Sequence, residues 1–246
     1  MNVVFLGATK GIGRSLARRM AQRGDRLFLF GRDAEDLERT TADLNVRAVS
    51  GTTVAYTLCD LEQPGGFAEA FDRAGSHLGR IDGVVVTAGL FATQDALERD
   101  RALTARLLTV DFVNTILFCE EACSRLLAAG GGTLCVFSSV AGERGRTPVV
   151  LYGAAKAGLT RYLEGLDHRF YARGLRVVCV KPGFVRTGMT AGLPEPPFAA
   201  DPDDVARQVL RGIDLESPVV YAPPVWILVM ALVRALPRFV MRRSRF

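Results

Sequence analysis

Histidine is nearly absent from this chain of 246 residues. His77 and His168 stand isolated, and neither is given a role. The five cysteines, Cys59, Cys119, Cys123, Cys135 and Cys179, contain no two pairs at metal-ligand spacing, which argues against a metal centre. Cys119 and Cys123 share a helix face, but two positions without further ligands read as core packing. No secretory-type leader opens the chain: an apolar strand begins at residue 2, which leads us to expect a cytosolic protein. No break in composition marks a second domain, and 246 residues that are 49% hydrophobic suffice for one large core.

Acidic residues are missing from the last 24 positions, PPVWILVMALVRALPRFVMRRSRF, which carry Arg234, Arg238, Arg242, Arg243 and Arg245. The whole chain has 31 basic and 26 acidic residues, so without these five arginines the body is neutral. We therefore separate a body, residues 1–222, from a basic amphipathic tail, residues 223–246. The apolar stretch Val225 to Val233 is too short to span a bilayer. Trp226 and leucines followed by arginines suit a helix lying on an anionic membrane, making peripheral attachment one expectation. The other is packing against a partner subunit. Nucleic acid is not expected as a partner, because the cations are not interleaved with stacking aromatics.

Apolar runs at 2–6, 26–30, 53–57, 82–87, 133–138, 175–180 and 218–221 alternate with helical segments. This predicts an α/β fold: a doubly wound parallel sheet of about seven strands, covered on both faces, in a single domain. Ligands bind such sheets beyond the carboxyl ends of the strands, and Gly7, Gly89, Ser139 and Pro182 each fall just past a predicted strand.

The first strand runs straight into Gly7-Ala8-Thr9-Lys10-Gly11-Ile12-Gly13 and then into a helix. Glycines permit a tight turn and close approach to a pyrophosphate, while the helix start offers free amides and a positive dipole end. Farther on, Tyr152 and Lys156 lie four residues apart, on one helical face, with Ser139 thirteen positions before the tyrosine. A phenol is a poor acid or base at neutral pH unless a cation favours its phenolate, and Lys156 supplies one. Ser139 is placed to hydrogen-bond a substrate carbonyl.

Over about residues 1 to 190 these motifs resemble the short-chain dehydrogenase/reductase family. The resemblance implies a dinucleotide site at Gly7, Gly11 and Gly13, with Thr9, Lys10 and Ile12 in the same turn. It implies adenine contacts at Asp60 and the adjoining Leu61, and places Ala88-Gly89 in the family's asparagine-alanine-glycine motif, with Thr87 replacing the asparagine. Ser139, Tyr152 and Lys156 match the catalytic serine, tyrosine and lysine, of which Tyr152 and Lys156 also meet the cofactor. Pro182, Gly183, Val185 and Thr187 fall on the segment that meets the nicotinamide. The family's catalytic asparagine is replaced by Asp111, which either joins a proton relay through water or does not; Asn114 is a substitute or helix surface.

Gly31 stands where NAD-preferring relatives carry a ribose-binding carboxylate, while Lys10 and Arg32 present cations for a 2′-phosphate, so NADP(H) is the expected cofactor. Asp33 is a counter-signal. The expected activity is hydride transfer between NADP(H) and a small carbonyl or alcohol substrate, apolar or lipid-linked, in a homo-oligomer, dimer or tetramer. The alternative is a nucleotide-binding redox sensor or scaffold without turnover. A lid after Thr187, with Phe184, Met189, Leu193 and Phe198 joining Phe91, would supply an apolar pocket. Asp201-Pro202 should cap and open the helix that follows.

Overall fold

The computed structural model describes residues 1–49 and 52–243. Seven strands, β1 (Asn2–Leu6), β2 (Arg26–Gly31), β3 (Ala55–Leu58), β4 (Gly83–Val86), β5 (Gly132–Phe137), β6 (Leu175–Pro182) and β7 (Val219–Ala222), form one parallel sheet in the order β3-β2-β1-β4-β5-β6-β7. Helices α1 (Gly11–Gln22), α2 (Ala34–Arg47), α3 (Phe67–Leu78), α4 (Gln94–Arg99), α5 (Arg101–Leu108), α6 (Thr115–Ala128), α7 (Val150–Phe170) and α8 (Pro202–Asp214) follow the body of the chain. α9 (Trp226–Ala235) and α10 (Arg238–Met241) complete it.

Alternation along the apolar strands builds two cores, one on each face. Val4, Leu6, Phe28 and Phe30 join α3, α6 and α7 residues such as Phe71, Phe118 and Leu159 on one side. Val3, Phe5, Leu27 and Leu29 join Leu16, Leu37 and Val209 of α1, α2 and α8 on the other. Phe118 meets Phe30, Phe67 and Phe71 at ring separations of 6.1, 5.3 and 5.2 Å. Each such buried side chain contributes roughly 1.5–3 kcal/mol. All five cysteines are free and buried in these layers, as their apolar setting predicts.

Strand β6 runs two residues past its predicted end because Cys179 to Pro182 pair with Val219 to Ala222 of β7. Pro182 therefore ends a strand, and Gly183 is the first residue beyond it. The chain enters at the middle of the sheet, builds outward through β2 and β3, then returns to β4 on the other side of β1. That reversal opens a crevice between the ends of β1 and β4, where such sheets bind ligands. Gly7 and the Thr87-Ala88-Gly89 turn flank it: the Thr87 and Ala88 amides both donate to Leu6 O, at 2.9 and 3.3 Å.

One local expectation differs from the structure. Asp201 is the N-cap residue of α8 by backbone position, yet its side chain makes no cap hydrogen bond and accepts instead from Arg186 at 3.1 Å. The tail begins with α9, one face of which is seated on the body: Trp226, Met230 and Val233 are buried against Val140.

Candidate active site

The glycine turn is built for close backbone packing. Gly7 has φ +98°, and a Cβ there would lie 2.6 Å from both the Ala88 nitrogen and Thr87 Oγ1. Thr87 Oγ1 donates to Gly7 O at 2.9 Å, so the residue replacing the family's asparagine ties the two crevice turns together. Gly11, at φ +51°, opens α1 with the Thr187 methyl above it, 3.1 Å from where a Cβ would stand. The 182–187 segment thus lies over the glycine turn.

The start of α1 has no side-chain cap and no acidic residue in its first turn. Its orphan amides and positive dipole end fit a pyrophosphate. Arg14 Nε, a contact not foreseen from the sequence, braces the turn by donating to Thr9 O at 2.7 Å. Ile12 lies half-buried against the core beneath.

At the edge of this crevice, Lys10 pairs with Asp36 at 2.7 Å and Arg32 lies 3.5 Å from Glu62; their side chains are 75% and 57% exposed. Both cations are solvent-accessible at the crevice edge. Asp33, the counter-signal, is occupied as the N-cap of α2, accepting from the Asp36 amide at 2.9 Å. Asp60 accepts from the Glu62 amide at 2.9 Å, and buried Asn114 donates to Leu61 O at 2.6 Å. Asn114 is therefore not helix surface: it is buried, and its side-chain amide is engaged by the Leu61 carbonyl. It anchors the loop expected to hold adenine.

Tyr152 and Lys156 lie on the first turns of α7, and the Lys156 nitrogen sits 5.6 Å from the phenol ring centroid. Ser139 follows the end of β5, and its hydroxyl accepts from the Ala141 amide at 3.1 Å. Ser138, also not singled out from the sequence, bonds Lys156 O at 3.0 Å and Thr160 at 2.7 Å, fixing α7 to the strand end. Asp111 is brought in by a π-helical stretch, Thr109–Asn114, between α5 and α6. Such a bulge rotates the side chains of one turn, and here it points a fully buried carboxylate into the site.

Asp111 Oδ2 lies 3.3 Å from Lys156 Nζ, and Oδ1 accepts from the Leu90 amide at 2.6 Å. The Oδ2 contact is an ion pair whose geometry falls short of a well-formed hydrogen bond, which leaves that oxygen with spare acceptor capacity among the described residues. Lys156 also donates to Phe137 O at 3.4 Å. Burial holds the Asp111 carboxyl above the usual carboxylate range, opposed by Lys156 and the Leu90 amide. Burial works against the Lys156 ammonium too, but Asp111 and the phenol outweigh it, so its pKa rises.

The phenol departs from expectation. Burial pushes the Tyr152 pKa up; Lys156 pulls it down as anticipated, Asp111 pushes it up again, and Ser139 lowers it. The balance lies above the ordinary phenol value, because burial outweighs the pull of Lys156 and Asp111 offsets part of that pull. The site therefore favours a protonated tyrosine.

Of the residues expected to form an apolar lid, Phe91 stands edge-on to Tyr152 with ring centroids 5.1 Å apart. Phe198 instead meets Trp226, at 6.4 Å, and Met189 is half exposed. Phe184 and Leu193 are half-buried. Arg186 pins the loop to Glu195 at 2.6 Å and to Asp201. Val185 is buried and its bridge to Ala200 closes the loop's base. Gly183 packs flat against the Trp226 indole, whose nitrogen a Cβ would overlap. A tail residue thereby backs the 182–187 segment, something no sequence motif signals.

Residues 1–197 match the family model described as short chain dehydrogenase. An uncharacterized oxidoreductase of Mycobacterium tuberculosis is 34% identical over 244 residues, covering 98% of this chain and 96% of its own. Carbonyl reductase family member 4 of Xenopus tropicalis is 32% identical over 224 residues, 87% of this chain and 90% of its own. Among solved structures, a short-chain type dehydrogenase/reductase from Mycobacterium ulcerans superposes with a TM-score of 0.81 at 21% identity, covering 89% of this chain and 86% of that one, a likeness of fold. A seven-stranded parallel sheet with a glycine turn after its first strand, a family model matching residues 1–197 and a relative 34% identical over 98% of the chain lead to one conclusion: this protein belongs to the short-chain dehydrogenase/reductase family of oxidoreductases.

Proposed function

We propose that this protein is an NADPH-dependent reductase of a carbonyl group on an apolar small molecule, with Tyr152 as proton donor. The observation that carries this reading is the convergence of Tyr152, Lys156, Ser139 and Asp111 beside an uncapped helix start at the sheet's crevice. The relative named a carbonyl reductase supports the reaction class. A reduced nicotinamide, when bound, supplies the hydride.

The protein's own groups do the rest. The Tyr152 hydroxyl passes its proton to the carbonyl oxygen, and its raised pKa keeps it protonated at neutral pH. Ser139 donates to the same oxygen and polarises the carbonyl. Lys156 stabilises the phenolate left behind, and Asp111 Oδ2 is the acceptor through which solvent protons return. For the cofactor, Gly31 offers no carboxylate to repel a 2′-phosphate, Asp33 is engaged as a helix cap, and Lys10 and Arg32 supply cations. Phe91 beside the phenol supports an apolar substrate.

The test is NADPH oxidation over a panel of carbonyl compounds. Tyr152→Phe should lower kcat about 10²–10⁴-fold with NADPH affinity retained; equal turnover in both proteins would overturn the assignment. One observation favours a second reading, a nucleotide-binding sensor without turnover: Asp111 neutralises the lysine that should activate the phenol. Tight NADPH binding with no oxidation across the panel would establish it instead.

A further inference from the structure

Helix α9 is apolar on every side except Arg234. A helix hydrophobic all round is normally enclosed, yet only half of this one is. Trp226, Met230 and Val233 face Val140 and Gly183, while Ile227, Leu228 and Leu232 on the opposite side are 50%, 74% and 65% exposed. Just beyond, Phe239 of α10 is 64% exposed.

The cations divide in the same way. Arg234 is committed to the body: it pairs with Glu143 at 2.7 Å, and Glu143 also holds buried Lys181 at 2.5 Å. Arg144 adds a bond to Leu236 O at 2.8 Å. Arg238, Arg242 and Arg243 are exposed and make no ion pair among the described residues, and Arg245 lies outside them. The outward apolar strip is thus bordered by uncompensated positive charge, and residues 223–246 contain no acid to answer it.

We propose that this outer face of α9, with the arginines after it, is a docking surface for an anionic lipid bilayer. Ten residues of helix reach about 15 Å, half the hydrocarbon thickness, so α9 lies in the interface and does not cross it. A second copy of the chain fits worse, since an isologous contact presents the same tail on both sides and residues 223–246 contain no acid to answer the arginines. Because the inner face rests on Val140, next to Ser139, and on Gly183, the bilayer comes within about one helix diameter of the active-site loops, roughly 10–12 Å. Docking itself requires no turnover, so its test is independent of the reductase reading.

The experiment is flotation of the full chain with vesicles of phosphatidylcholine alone or mixed with phosphatidylglycerol, with size-exclusion chromatography and light scattering alongside. The wild type should float with the mixed vesicles only, and less so as salt rises. Leu228→Ser/Leu232→Ser, at exposed positions, should lose flotation while the single tryptophan, Trp226, keeps its buried emission. Arg238→Gln/Arg242→Gln/Arg243→Gln should weaken partitioning about a hundredfold, near fivefold per arginine. Absence of flotation by the wild type, or equal flotation with neutral vesicles, overturns the proposal. So does a serine variant that changes oligomeric mass and still floats, which assigns the face to a second copy.

Discussion

The Asp111 carboxylate and the Lys156 ammonium face each other at 3.3 Å with almost no access to solvent, their side chains 0% and 6% exposed. The pair sits beneath a tyrosine whose acidity depends on the net charge around it. Restoring the family's asparagine removes the one negative charge without removing the lysine. Asp111→Asn should therefore lower the Tyr152 pKa. Reduction needs the protonated phenol, so activity is kept below that pKa and lost above it. The alkaline limb of kcat/KM for carbonyl reduction should move to lower pH in the variant; an unmoved limb would detach Asp111 from the phenol.

Truncating the same residue is a different experiment. Asp111→Ala leaves Lys156 buried without its counter-charge and the Leu90 amide without its acceptor. Breaking one side of a buried pair costs about 3–5 kcal/mol. Denaturant unfolding should show a loss of that order, with Asp111→Asn losing less because its amide oxygen still accepts from Leu90.

In the NADPH reading proposed above, cofactor preference rests on two exposed cations. Lys10→Ala and Arg32→Ala should each raise KM for NADPH about tenfold and change KM for NADH little, since only the 2′-phosphate distinguishes the two. Initial-rate kinetics with both cofactors check this, and equal losses would assign the residues to the shared part of the nucleotide.

Gly183 and Trp226 are predicted to be coupled. The indole occupies the space a Cβ at 183 would need, so Gly183→Ala must push α9 away from the 182–187 segment. The alanine should lower thermal stability by roughly 1–3 kcal/mol, as overpacking does. Trp226→Leu should relieve part of that loss in the double variant, a non-additivity that a double-mutant cycle measures.

The strands were legible because parallel strands buried on both faces read as unbroken apolar runs. Runs such as Val3 to Leu6 and Leu27 to Phe30 need no partner to be recognised. The far end of β6 was not legible: Lys181 and Pro182 do not look like strand, and only pairing with β7 extends it. The motifs announced Tyr152, Lys156, Ser139 and the glycine turn. Asp111 was visible as a substitution, but its effect on the phenol depends on a π-helical turn and on the Leu90 amide 21 residues away. Asn114 acts through a backbone carbonyl 53 positions earlier, which no local pattern reveals. A helix apolar on both sides, such as α9, carries no signature of which side is inward.

Burying every cysteine has a practical corollary. Burial raises the thiol of Cys59 to about 12 and that of Cys179 to about 11, and pushes the thiols of Cys119, Cys123 and Cys135 up as well. Thiolate is the reactive form, so the buried thiols of the native protein should react slowly with alkylating reagents. Labelling with a thiol reagent becomes a clock for opening of the sheet layers, reporting how often each part of the molecule visits unfolded states.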